Sequence, residues 1–199
     1  MLMRTATIWG MVFLCVACHR EVTPDPVLGQ ELLSALERGD EPAARTLIER
    51  GADRNARQAV TGYTPYVVAA KRCLTDTVRL LDKKGIDRSL AVSSGNSVEK
   101  SAFLNAAMSG CLGTVRYFVE ERGMDINTRH HVWNETLLHK AVQTRNTALA
   151  RYALEKGVDR SITDNNGRTA LTLAKELGAM EIASLIEEGN SEGRRRDGR

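Results

Sequence analysis

The sequence predicts an all-α solenoid of about five stacked helix-turn-helix units, and three observations predict it. The stretch "TGYTPYVVAAKRCLTDTVRLLDKKGIDRS" (61–89) returns in degraded form as "NETLLHKAVQTRNTALARYALEKGVDRS" (134–161) and "NGRTALTLAKELGAMEIASLIEEG" (166–189). Aligned on a junction between two helical stretches, the copies place Gly39, Cys73, Gly110, Arg145 and Gly178 at spacings of 34, 37, 35 and 33 residues. Self-similarity at such a period marks stacked repeats, each unable to bury its apolar face alone. Composition agrees: 42% of the 199 residues are hydrophobic but only 5% aromatic, which points to a core of Leu, Ala, Val and Ile. Ala- and Leu-rich segments favour helix.

The elements follow in order. The first unit, "LGQELLSALERGDEPAARTLIERGADRN" (28–55), predicts helices over 28–37 and 41–50, with Gln30, Glu31 and Arg38 able to face water at an open end. Pro42 falls near the start of the second helix, where proline is tolerated. Unit two predicts helices over 65–72 and 75–83, with Thr64 as a cap and Pro65 at the first helical position, where its missing N–H costs nothing. Units three, four and five predict helices over 101–109, 112–121, 136–144, 147–156, 169–177 and 180–187. Second helices carry apolar residues at helical spacing, as in Val115, Phe118 and Val119, or Ile182, Leu185 and Ile186. Gly51, Gly85, Gly123 and Gly157 stand where those helices should end in a left-handed conformation. Two irregularities break the period: about four extra residues near "AVSSGN" (91–96) and one before Gly123 in "VEERGMD". Insertions of this kind are expected in loops.

Short motifs recur at fixed offset in these units. "TPYVVA" (64–69), "TLLHKA" (136–141) and "TALTLA" (169–174), with a decayed "SAFLNA" (101–106), match T-P-L-H-x-A. "GADRN" (51–55), "GIDRS" (85–89), "GMDIN" (123–127) and "GVDRS" (157–161) match a second element, G-A-D-x-N. Over residues 28–189 the chain therefore resembles the ankyrin-repeat family. The resemblance implies a non-enzymatic protein-binding module whose concave side is made of loop tips and first-helix edges. It also implies that His139, the H of the motif, braces adjacent loops.

The first twenty residues, "MLMRTATIWGMVFLCVACHR", are of a different kind. Arg4 precedes an apolar run from Ile8 to Cys18, too short for a bilayer-spanning helix of roughly 20 residues and right for a signal-peptide core. "CVAC" resembles a bacterial lipobox, although Cys15 stands where that motif usually has Leu. The resemblance implies removal of residues 1–17, lipid on Cys18 and, with His19 next, the outer membrane facing the periplasm. A plain secretory signal or an uncleaved anchor are the alternatives. Residues 18–27, with Pro24 and Pro26, read as a tether, and 190–199, ending "RRRDGR", as a disordered basic tail.

A net charge of +3, from 28 basic and 25 acidic residues, gives little support for nucleic acid as a partner. No phosphate-cradling Gly loop, G-x-S-x-G or H-E-x-x-H is present. His130 and His131 lack a Cys or acidic partner at metal-ligand spacing, so neither a catalytic nor a metal site is predicted, and no cofactor. Cys73 and Cys111 fall at junctions of neighbouring units. Like positions in stacked units lie roughly 10 Å apart, beyond the ~7 Å that a disulfide tolerates. Two separate core residues are thus expected, with a bridge as the alternative.

Candidate partner contacts are Tyr63, Lys71, Arg72, Met108, Arg129, His130, His131, Trp133, Asn165 and Arg168, all on tips or first-helix edges. Trp133 beside Arg129 and two His has the composition of an interface hot spot; the alternative is a Trp folded back over unit three. The partner expected is a protein, with the membrane reached only through the N-terminal lipid and the chain a monomer. Resemblance to secreted bacterial ankyrin proteins implies an immunity protein that sequesters a toxin, such as a type VI phospholipase effector. The alternative is a scaffold for envelope stress or maintenance that binds a resident periplasmic protein.

Overall fold

A computed structural model describes residues 23–92 and 95–196, with side chains as far as residue 188. The signal at 1–17, Cys18 and the start of the tether lie outside the described residues. Among the described residues, ten helices run through five units: α1 (Pro26–Arg38), α2 (Glu41–Glu49), α3 (Pro65–Lys71), α4 (Thr75–Lys83), α5 (Val98–Met108), α6 (Leu112–Arg116), α7 (Leu137–Gln143), α8 (Thr147–Glu155), α9 (Ala170–Glu176) and α10 (Met180–Arg196). A π-helical turn, Tyr117–Glu121, continues α6. Among the described residues extended backbone is limited to isolated bridges such as Ala91–Ser97 and Thr163–Thr169. The odd-numbered helices pack in series, α1 on α3, α3 on α5, α5 on α7 and α7 on α9, while α2 packs on α4, α4 on α6 and α8 on α10. Two layers result, with the core between them and between units.

The core is aliphatic, as composition predicts. Ala69, Ala70, Ala106 and Ala141 are fully buried where inner helices meet, and a larger side chain there would force the units apart. The junction row holds as aligned: Gly39, Cys73, Gly110, Arg145 and Gly178 have φ of 74°, 61°, 72°, 52° and 63°. The tight turn needs a left-handed residue in each unit, and Cys73 and Arg145 supply it without being glycine.

Differences from the sequence reading have local causes. α1 starts at Pro26, because the Asp25 carboxylate accepts the N–H groups of Val27 and Leu28 at 2.8 and 3.2 Å. α5 starts at Val98 rather than 101, because Ser97 caps it through the Lys100 N–H at 3.2 Å. Part of the insertion near 91–96 is thus spent on lengthening a helix. The extra residue before Gly123 is not in a loop at all. It is absorbed as the π turn, the usual form of a one-residue insertion into a helix. At the C-terminus, α10 passes the expected end at 187 and is described as far as Arg196, within the segment read as a tail. It contains no proline that would end the helix.

The π turn is tied to its neighbours. Asp82 of α4, with little exposed side chain, accepts from Arg88 at 2.8 Å and from the Tyr117 hydroxyl, and pairs with Arg122 at 3.3 Å. Arg122 also pairs with Glu99 at 3.2 Å. Burial, then the bond to Asp82, pushes the Tyr117 phenol up to about 12, so it stays a neutral donor. On the other side Lys156, the residue that caps the C-terminus of α8, pairs with Glu120 at 2.9 Å, and Arg116 lies over the Tyr152 ring at 5.1 Å.

The expectation of two separate thiols is overturned. Cys73 and Cys111 form a disulfide, with Cα atoms 5.0 Å apart. The helix-packing distance applies between axes and like positions. These residues are neither, since Gly110 is the counterpart of Cys73, and Cys111 stands one place further on, at the N-terminal boundary of α6. Both lie in the turns between layers, where that single-residue offset brings them within bonding range.

Candidate functional site

The loop between units three and four, 128–135, is built around one histidine. Its N–H donates to the Glu135 carbonyl at 2.9 Å, and its carbonyl accepts the Asn134 N–H at 2.8 Å. The residue is His130, whose Nδ1 also accepts the Val132 N–H at 3.3 Å. Its ring stacks on His131 at 4.9 Å and on Trp133 at 4.4 Å. Burial first, then the neighbouring His131 and Lys140, hold the His130 pKa below its ordinary value. The ring is therefore neutral at pH 7, as an acceptor at Nδ1 must be. Because the folded pKa is depressed, the stability it confers is present above the unfolded value near 6.5 and is lost as pH falls through the folded pKa. His131 is exposed, with Nδ1 at 2.9 Å from the Asn96 amide.

Trp133 remains 46% exposed despite its contacts, which puts an indole surface into solvent. One face lies on His130, and the Lys140 ammonium stands 4.8 Å from the ring centroid. The indole N–H has no hydrogen-bond partner among the described residues. Below it lies a buried polar cluster that sequence reasoning missed. Lys140 pairs with Glu135 and donates to Gln143 at 3.0 Å, and Gln143 donates to Glu135. The side chains of Lys140 and Glu135 are only 8% and 7% exposed. A signal existed: Lys140 occupies the slot filled by Val68 and Leu173 in other units, and a lysine in an apolar slot needs a carboxylate. Together Met108, Trp133, Gln143 and Asn166 help to line a cleft of about 360 Å³ between the inner helices and the tips.

The remaining predicted contacts divide into free and committed groups. Met108, 38% exposed, borders the cleft from α5. Tyr63 is half-buried, with the Lys71 ammonium 5.9 Å from its ring centroid. Lys71, Arg72 and Arg129 are exposed, and no carboxylate pairs with any of them among the described residues. Asn165 and Arg168 serve inside the array instead. The Asn165 N–H donates to the Trp133 carbonyl at 3.1 Å, and its amide donates to the Val132 carbonyl, joining consecutive tips. Arg168 binds Asp164 through Nε and Nη2 at 2.9 and 2.7 Å, and Glu176 at 3.2 Å. Burial raises the Asp164 pKa, but the hydrogen bonds from Arg168 and from the N–H groups of Arg168 and Asn166 outweigh it and hold the carboxyl at about 2. His139 works as the resemblance implies. Its Nδ1 accepts the Thr136 N–H at 3.3 Å, and Nε2 lies 3.1 Å from the Arg168 carbonyl in the next tip. Nothing in this arrangement brings a nucleophile and a base together.

Comparison with known proteins places the chain. A family model described as ankyrin repeats in three copies matches residues 32–130 and 103–196. The ankyrin repeat protein YahD of Escherichia coli is 29% identical over 154 residues, covering 71% of this chain and 70% of that protein. Ankyrin repeat and SOCS box protein 6 of Homo sapiens is 31% identical over 151 residues, covering 71% of this chain and 34% of that protein. Alpha-latrotoxin-Lg1a of Latrodectus geometricus is 27% identical over 141 residues, 70% of this chain but 10% of the toxin. The chain thus spans a small part of some relatives and most of the bacterial one.

Proposed function

The chain belongs to the ankyrin-repeat family, and on that premise we propose that it is a protein-binding module of the bacterial cell envelope, held there by lipid on Cys18 and recognising its partner at the Met108–Trp133 cleft. The observation that carries the binding reading is Trp133. A half-exposed indole held against His130 and Lys140 offers large contact area at reduced cost in side-chain entropy on binding. Its indole N–H and the free Arg129 nearby in the tip supply directional donors.

The envelope reading rests on "CVAC" and on the Cys73–Cys111 disulfide, since such bonds persist in oxidising compartments such as the periplasm. Within it, the specific role proposed is immunity: sequestering a secreted toxin of the type VI phospholipase kind. Replacing Cys18 with Ser is expected to abolish lipid attachment and cleavage at that site, read by mass spectrometry and detergent partition. An unchanged mass and an intact N-terminus in both parent and variant would mean an uncleaved anchor. For the site, Trp133→Ala with Arg129→Ala is expected to weaken partner binding by more than about 2 kcal/mol. Thermal stability should fall only slightly, because an exposed tip contributes little to stacking. Early unfolding would make Trp133 a packing residue, and unchanged affinity would move the partner to another face. If the toxin reading holds, cells carrying this double variant remain sensitive at normal protein levels.

A further inference from the structure

We propose that the face made by the inner helices and tips of units two to four recognises an acidic protein segment, one that also carries an apolar side chain for the Met108–Trp133 cleft. The inference rests on the reading that this face binds protein, and it names the partner's chemistry. Charge on the face is unbalanced in one direction. Its carboxylates are used internally: Glu135 by Lys140, and Asp164 and Glu176 by Arg168. Three of its exposed cations are not, although Arg57 donates to the Ala91 carbonyl at 2.8 Å. Lys71, at the end of α3, meets only the Tyr63 ring, and Arg72 and Arg129 have neither ion pair nor side-chain hydrogen bond among the described residues.

The neutral donors lean the same way. The indole N–H of Trp133 and the Asn166 side-chain amide point to no acceptor among the described residues, whereas Gln143 and Asn165 are already engaged. A surface with donors to spare and acceptors consumed complements carboxylates and repels cationic segments. The cleft itself is not charged in excess, because Lys140 and Arg168 cancel Glu135 and Asp164. What it offers an incoming group is the thioether of Met108 and the indole edge, which suit an aliphatic or aromatic side chain.

The test uses the folded chain, with Trp133 fluorescence as the signal and two synthetic peptides as probes, one rich in Glu and Leu, the other in Lys and Leu. The Glu peptide is expected to bind and the Lys peptide not. Raising salt from about 0.1 M to about 1 M, which shortens the screening length from about 10 Å to about 3 Å, should weaken the Glu peptide markedly. The variant Lys71→Gln/Arg72→Gln/Arg129→Gln should lose at least about tenfold in affinity, or about 1.4 kcal/mol. A control that removes as many charges from the second helices and the C-terminal cap of α2, Arg45→Gln/Arg50→Gln/Arg151→Gln, should lose little, with both variants melting like the parent. Equal binding of the two peptides, no binding of the Glu peptide, or equal loss in both variants overturns the proposal. So does a single-stranded DNA oligonucleotide that competes as well as the Glu peptide, which would make the face a nucleic-acid surface. If Trp133→Ala abolishes binding of a protein partner while the concave charge variant binds it unchanged, the protein-binding reading stands and the acidic one falls. If neither variant affects that partner, both fall.

Discussion

Reduction of the Cys73–Cys111 disulfide, or Cys73→Ser, is expected to cost the array several kcal/mol of stability. The bridge closes a segment of 38 residues between units two and three. Chain-entropy arguments put the stabilisation from closing such a loop at about 4 kcal/mol, within the ~2–4 kcal/mol usual for disulfides. For a chain of this length each kcal/mol moves the midpoint by about 2–4 °C, so thermal unfolding monitored at 222 nm should shift down by about 8–16 °C. Cys73 is the half of the bridge that solvent reaches, whereas Cys111 is 3% exposed, so reductant can attack the bond without prior unfolding. A Cys73→Ser protein that melts with the parent, in the presence and absence of reductant, would show that the bond adds nothing to the stacked state. The comparison is best made with non-reducing mass spectrometry, which reports directly whether the two thiols are oxidised in the isolated protein.

The second large effect is expected at Phe118. It is fully buried in the π turn and meets three rings edge-on: Tyr66 at 5.8 Å, Phe103 at 6.1 Å and Tyr117 at 5.5 Å. Phe118→Ala removes that hub and leaves a cavity between units two and three that neighbouring helices cannot collapse to fill. A loss of about 3–5 kcal/mol is expected from denaturant unfolding. Part of it is the edge-to-face contacts, each worth about 0.5–1.5 kcal/mol beyond area burial. The fall should appear as a lower midpoint at an unchanged slope, since the surface exposed on unfolding is nearly the same. A loss below about 1 kcal/mol would mean that the turn repacks and that the ring cluster is not a fixed part of the core. Because Phe118 and the disulfide both join units two and three, the double variant should also reveal coupling between them.

Repeat number, helix order and the left-handed junctions follow from residues that act locally. A 3.6-residue apolar period, a capping Ser or Thr and a residue that accepts positive φ each work within a few positions. They are therefore readable one unit at a time. Thr169 capping Thr172, and the junction at Arg145, could be placed in that way. The π turn could not. A single extra residue before Gly123 can widen a helix or lengthen a loop, and the choice depends on whether Asp82, on another helix, is there to hold Tyr117. The same holds for the disulfide, where an offset of one residue between neighbouring units decided between two buried thiols and a bond. At the candidate site, composition alone singled out Trp133, His130, His131 and Arg129, because aromatic and basic residues crowded into one loop are conspicuous in a chain so poor in aromatics. Which of the tip residues remain free is a matter of tertiary placement. Asn165 and Arg168 have the same residue chemistry as free donors, and only their proximity to Val132 and Asp164 commits them inward. Lys140 shows the reverse: its slot is apolar in units two and five, but which carboxylate meets it is decided only when the fold brings Glu135 beside it. Local sequence determines the units because its interactions span a few residues. The pairing of side chains across units, some 30 residues apart in the chain, is decided only when stacking sets the distances.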